Sequence, residues 1–269
     1  MDTSFVDTHL GKIQLRRGGA GDPLVYLHSA QGEGEGLPLL ELLAGHFDLI
    51  APVSPGFGDS EGLEQLEDME DVCFHLLDLF DRLELEAPIV AGLSLGGWMA
   101  AELAVRYPDR VGRLVLINPA GLYIEGAEIK DIFGRTLDEM VPDLYYDTQH
   151  PAAQMMVEFG RVATDPKMDL PFELLKPVFQ AMSATAKLGW DPYLHDPKLR
   201  RRLWRVAAPT LVLRAAADTL IPAQHAQAYA EGIPGATLVE IPQAAHMVVV
   251  ERPDAVVEAI TDWVGPTSG

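Results

Sequence analysis

Six short apolar runs punctuate the chain: PLVYLHS (23–29), FDLIAPV (47–53), PIVAGLS (88–94), RLVLINP (113–119), PTLVLRA (209–215) and TLVEIPQ (237–243). Most are apolar throughout instead of alternating, the pattern of parallel strands covered on both faces. The first residues differ: Phe5 to Leu10 and Lys12 to Arg16 mix polar and apolar positions around Gly11, which predicts an antiparallel hairpin at a sheet edge. Between the runs the period changes to that of a helix. Met69, Val72, Cys73, Leu76, Leu77, Phe80 and Leu83 form one stripe, with Asp68 or Asp71 placed for the positive helix start. Further faces occur at 99–105 and at 256–264, where Val256, Val257, Ile260, Trp263 and Val264 share a side. Strands alternating with helices predict a doubly wound α/β sheet.

One segment breaks the alternation. From Gly121 to about Arg205 no strand-like run occurs, while Phe133, Met140, Tyr145, Met155, Phe159, Phe179, Met182 and Trp190 supply large apolar groups between prolines. This is too long for a loop, so a helical insertion over the carboxyl edge of the sheet is expected, where open α/β sheets bind ligands. The predicted organisation is a core of residues 1–120 and 206–269 with a helical cap over 121–205. Only the tail GPTSG is expected to be loose.

The composition removes several function classes. Forty acidic residues against twenty basic ones give a formal charge of −20, so nucleic acid and anionic membrane surfaces are repelled at long range. Cys73 is the sole cysteine, which excludes an intramolecular disulfide and a cysteine-rich metal site; its place on the stripe makes it a small core residue. No run is long enough to span a bilayer and the N-terminus lacks a secretory pattern, so a cytoplasmic protein without membrane insertion is expected.

The chemistry enters at Gly92-Leu93-Ser94-Leu95-Gly96, between a buried-strand signal and a helical one. This is the pattern of a nucleophile elbow, where a serine occupies a strained strand-to-helix turn and flanking glycines give it room. A serine hydroxyl needs a base and a group to orient that base. Downstream, Asp218 follows the run 210–213 and His246 follows the run 237–241, so all three lie just beyond carboxyl ends of strands.

With PLVYLHSAQG, SPGFGDS, GLSLGGW, YPDRVGRLVLINP, PTLVLRAAADTLIP and AAHMVVVERP, the chain resembles the α/β-hydrolase superfamily, in its capped serine hydrolase branch, over almost its whole length. The resemblance implies a mostly parallel eight-stranded sheet with helices on both faces. It implies Ser94 as nucleophile, Asp218 as acid and His246 as base, with the backbone N–H groups of Leu95 and Ala30 as oxyanion hole. No metal or organic cofactor is implied. The expected substrate is a small-molecule carboxylic ester with an apolar group. A carbon–carbon bond hydrolase is the nearest alternative; those usually carry Gly-Pro in the loop after the third strand and a tryptophan soon after the histidine, where this chain has HSAQGEGEG and HMVVVE. A non-catalytic receptor on the same fold is the alternative from another class.

Ser29, Ala215 and Ala245 stand where relatives usually carry glycine, so the turns there are expected to be shaped differently, Ser29 mattering most beside the oxyanion loop. The acid common before PGFG is replaced by Val53 and Ser54. Asn118 occupies the site where some relatives carry the acid, which favours Asp218. His28 is expected to be structural, His195 a surface or turn residue, and His9, His46, His75, His150 and His225 solvated or packed. Arg200, Arg201, Arg202 and Arg205 read as a solvated face.

Overall fold

The sheet order explains where a ligand can sit. The computed structural model describes residues 1–33, 36–164, 167 and 171–265; the predicted loose tail otherwise lies outside them. Strands β1 (Asp2–Thr8) and β2 (Gly11–Gly18) form the expected hairpin, and β2 pairs antiparallel with β4 (Asp48–Pro52). From β4 the neighbours are all parallel: β3 (Pro23–Leu27), β5 (Ile89–Leu93), β6 (Arg113–Ile117), β7 (Thr210–Ala215) and β8 (Thr237–Ile241). The eight-stranded order is β1-β2-β4-β3-β5-β6-β7-β8. The chain therefore leaves β3 toward one side and returns through β5 on the other, which opens a crevice beyond their carboxyl ends, the switch point of a doubly wound sheet.

Helices cover both faces. α1 (Pro38–Ala44) packs with α9 (Pro253–Val264), which follows the short α8 (Val248–Glu251). α2 (Met69–Arg82) packs with α3 (Leu95–Arg106), and α7 (Ala223–Gly232) lies against β7 and β8. The Asp68 side chain caps α2, accepting from the N–H groups of Glu70 at 2.7 Å and Asp71 at 3.2 Å. Cys73 is fully buried on that helix, and burial raises its thiol pKa. α3 runs through the middle with every residue from Leu95 to Val105 buried, all apolar or glycine but Glu102, whose carboxylate accepts from Trp98 and Arg106. β8 departs from the both-faces-covered reading: it is the edge strand, and only Ile241 of its five residues is buried.

Between β6 and β7 the described residues form no strand. They form α4 (Leu137–Leu144), α5 (Pro151–Thr164) and α6 (Phe172–Gly189), then a short 3-10 turn at Arg200–Arg205. The two ends of this excursion are stitched together: Gly121 N–H donates to Leu194 O at 3.0 Å and Asp196 N–H to Gly121 O at 3.1 Å. Gly121 has φ of 100°, and a Cβ there would stand 2.4 Å from the Trp98 ring, so the stitch requires glycine. Among the described residues no helix is long and apolar enough to cross a membrane.

Candidate active site

Ser94 is the single residue between β5 and α3, at φ 54° and ψ −111°. A serine before a helix ordinarily caps it through its hydroxyl, yet here the side chain makes no cap bond. The backbone is fixed instead: Ser94 N–H donates to Ile117 O at 2.9 Å, and Ser94 O accepts from Trp98 N–H at 3.0 Å and Ala120 N–H at 3.1 Å. Those bonds hold a positive φ that costs a non-glycine residue about 1–3 kcal/mol. The glycines make the bend possible. A Cβ on Gly92 would lie 2.2 Å from Gly96 O, and one on Gly96 would lie 2.1 Å from Leu27 O.

Asp218 and His246 meet beyond β7 and β8. His246 Nδ1 is 2.8 Å from Asp218 Oδ2, and both side chains are buried. Asp218 Oδ1 accepts the N–H groups of Leu220 and Ile221, each at 2.9 Å. With the carboxylate as acceptor, His246 Nδ1 carries the proton and Nε2 is left with its lone pair. Asn118, where some relatives place the acid, does other work: its Oδ1 accepts Ala215 N–H at 2.8 Å and its Nδ2 donates to His246 O at 2.9 Å. It thereby ties the end of β7 to the histidine loop.

Ser94, His246, Leu95 and Ala30 line one cavity of about 630 Å³. Among the described residues the N–H groups of Leu95 and Ala30 have no acceptor; the first is an open N–H of a helix's first turn. Several other polar groups of the 28–32 loop are engaged. Ser29 N–H donates to Glu33 Oε1 at 2.8 Å and Ser29 Oγ to Glu33 Oε2 at 2.5 Å, while Ser29 Oγ accepts Gln31 N–H at 3.1 Å. Thr185 of α6 donates to Ala30 O at 3.4 Å. Ser29 is thus accommodated by Glu33, its hydroxyl committed to a carboxylate. None of Ser29, Ala215 and Ala245 has a positive φ, so the backbone there does not need glycine.

None of the remaining histidines lines this cavity. His28 Nδ1 donates to Ser29 O at 2.7 Å and its Nε2 accepts Ser54 N–H at 2.9 Å; both ring nitrogens are occupied, and burial lowers its pKa despite the opposing charge of Glu33. His195 lies beside Tyr123, the two rings tilted by 39°, and its Nδ1 is 2.8 Å from Tyr193 O. His225 is buried on α7 with Nε2 donating to Ala127 O at 2.7 Å. His75 is likewise buried, and desolvation lowers its pKa to about 4. Arg205 donates to Val105 O at 3.0 Å and Arg202 pairs with Asp196 at 3.6 Å, away from the cavity.

Sequence reasoning passed over a buried carboxylate on α4. Asp143 binds Lys130, pairs with Arg135 at 2.8 Å and accepts from Thr219 Oγ1 at 2.5 Å. Burial acts to raise its pKa, but the hydrogen bonds from Lys130, Thr219 and Arg135 prevail and hold it below the usual carboxylate value. Glu251, half-buried at the end of α8, is a second carboxylate in this kind of role, accepting Ala245 N–H through Oε2 and Asp147 N–H through Oε1, each at 2.9 Å. Tyr145, on the cavity wall, has its pKa pushed up to about 12 by burial, with the charges of Glu251 and Glu33 adding to it.

Residues 22–253 match the family model for the alpha/beta hydrolase fold, and the chain belongs to that family. Its relatives differ in their chemistry. It is 30% identical over 249 residues to the dihydrolipoyllysine-residue acetyltransferase component of the acetoin cleaving system of Pseudomonas putida, covering 89% of this chain but only 62% of that protein. It is 27% identical to the 2-hydroxymuconate semialdehyde hydrolase of Pseudomonas sp. strain CF600, over 94% of this chain and 90% of that one. It is 29% identical to the pimeloyl-[acyl-carrier protein] methyl ester esterase of Pectobacterium carotovorum subsp. carotovorum, over 82% and 86%.

Proposed function

We propose that the protein is a serine hydrolase of carboxylic esters bearing an apolar group, with Ser94, His246 and Asp218 as nucleophile, base and acid. The observation that carries this reading is the buried 2.8 Å bond from His246 to Asp218 on a loop that shares one cavity wall with Ser94. His246 Nε2 takes the Ser94 proton as Oγ bonds to the ester carbon. The oxyanion accepts from Leu95 and Ala30 N–H. Collapse breaks the carbon–alkoxy bond, and His246 returns the proton to the departing alcohol. Water then attacks the acyl-enzyme with the same base, giving the carboxylic acid and regenerating Ser94. The segment 121–205 acts as a cap over the core, and supplies most of the apolar wall.

The relative that hydrolyses 2-hydroxymuconate semialdehyde makes carbon–carbon cleavage the rival. Side-by-side assays of p-nitrophenyl butanoate and 2-hydroxymuconate semialdehyde separate them: kcat/KM for the ester is expected to be at least 100-fold higher. A preference for the semialdehyde would assign the chain to carbon–carbon chemistry instead.

Glu33 supports the same reading from behind the oxyanion loop. Glu33→Ala releases both Ser29 bonds, so the Ala30 N–H loses its fixed direction. Since removing one oxyanion donor outright costs about 10²–10³ in kcat, loosening it is expected to lower kcat about tenfold with KM nearly unchanged. Steady-state kinetics on p-nitrophenyl butanoate check this; an unchanged kcat would mean that Glu33 does not set the loop.

A further inference from the structure

The cavity is much larger than the reaction requires. At about 630 Å³ it has room for about twenty water-sized volumes, several times an acetyl or butanoyl group. Polar residues line it beyond Ser94 and His246 as well, but Arg135 pairs with Asp143, Thr164 Oγ1 donates to Gly160 O and Thr185 Oγ1 to Ala30 O, while α5 and α6 contribute a largely apolar wall. Four residues of that wall are also open to solvent: Met155 at 71%, Leu174 at 56%, Phe179 at 56% and Met182 at 38%. They are at once inside the cavity and on the surface, so they mark its mouth.

The packing of the helices agrees. α5 lies along α4, and among the described residues α5 and α6 have no comparable backbone contact. α6 is tied to the core where Lys187 Nζ donates to Leu63 O at 2.8 Å and to Glu64 O at 2.9 Å. An apolar cleft thus leads from Ser94 to solvent between α5 and α6.

Resting on the ester-hydrolase reading above, we propose that this cleft binds an unbranched alkyl chain of eight or more carbons on the ester, its far end emerging between α5 and α6. The wall that α5 and α6 contribute is largely apolar and flexible in shape, with methionines at the mouth, which suits a linear chain. A closed pocket would cut off at a set chain length; an open one lets longer chains continue outward.

The test uses p-nitrophenyl acetate, butanoate, octanoate, decanoate and dodecanoate for the acyl side, and hexyl and decyl acetate for the alcohol side. Full burial of a methylene, about 0.8 kcal/mol, corresponds to about fourfold in affinity. A gain of at least tenfold in kcat/KM from butanoate to decanoate is therefore expected on one side, with no collapse at dodecanoate. The side that shows it is the side the cleft serves. Met155→Asp and Phe179→Asp should lower kcat/KM for decanoate at least tenfold more than for acetate. In parallel, Ser94→Ala protein should bind decanoate at least tenfold more tightly than butanoate by calorimetry. Flat series on both sides with Ser94-dependent acetate hydrolysis would overturn the cleft and leave the hydrolase standing. Chain-length-dependent binding without turnover of any ester would do the reverse.

Discussion

Ser94→Ala is expected to lower kcat/KM for p-nitrophenyl butanoate by at least 10⁴-fold, about 5.5 kcal/mol of transition-state stabilisation. The variant loses the proposed nucleophile, while His246, Asp218 and the open N–H groups of Leu95 and Ala30 remain. Residual hydrolysis by water in that setting sets the floor. Stability should change little, because the Ser94 hydroxyl caps nothing and the φ of 54° is held by backbone bonds that alanine keeps. A melting temperature within about 3 °C of the parent, together with loss of turnover and of any burst of p-nitrophenol, is the expected pair of results. A folded variant retaining more than a tenth of the activity would show that Ser94 is not the nucleophile.

What was legible in the chain, and what was not, follows from how each feature is encoded. Strands β3 to β7 are buried on both faces, and that burial is written directly as uninterrupted apolar runs. The hydrolase fold was readable for the same reason, as was the position of Ser94, since a bend this tight excludes side chains at Gly92 and Gly96 and so leaves a sequence trace. β8 has nearly the same composition as the inner strands, but composition does not say which strand ends at an edge. The roles of Glu33, Asn118, Asp143 and Glu251 were not readable at all. Asn118, Asp143 and Glu251 act on groups presented by separate loops, Asp143 meeting Thr219 across 76 residues of chain, and the Glu33 contact depends on how its own loop folds back. Ser29 was visible as a departure from glycine, but only the placement of Glu33 four residues later shows that its hydroxyl is held by a carboxylate.

Those unread groups share a consequence. α4 is fastened to both loops that carry Asp218 and His246: Asp143 holds Thr219, next to Asp218, and Leu144 O accepts Met247 N–H at 2.8 Å, next to His246. Glu251 closes the same connection from the core side. The inserted segment is therefore joined to these loops through α4, whereas α5 and α6 border the open cleft. The loops of Asp218 and His246 are tied to α4, while the residues at the mouth stand on α5 and α6, so substitutions at the mouth can alter chain preference without displacing the imidazole.

Asp218→Asn is expected to lower kcat by about 10³–10⁴ with KM within threefold. The oxygen of asparagine can still accept the N–H groups of Leu220 and Ile221, which now go to Asp218 Oδ1. Its NH₂ group then faces His246 Nδ1 and donates to it. That reverses the imidazole: Nδ1 becomes the acceptor and the proton moves to Nε2, where a lone pair is needed to take the Ser94 proton. The charge that would stabilise the imidazolium is lost at the same time. Because geometry and cavity are kept, the substrate should bind as before, and the loss should fall on acylation, seen in stopped-flow traces as disappearance of the burst. Asp218→Ala, which leaves the N–H groups of Leu220 and Ile221 unpaired in a buried site, should add a stability loss of about 1–3 kcal/mol to the same kinetic defect. Full activity in the folded asparagine variant would move the orienting role to another carboxylate and leave the 2.8 Å contact as a structural bond only.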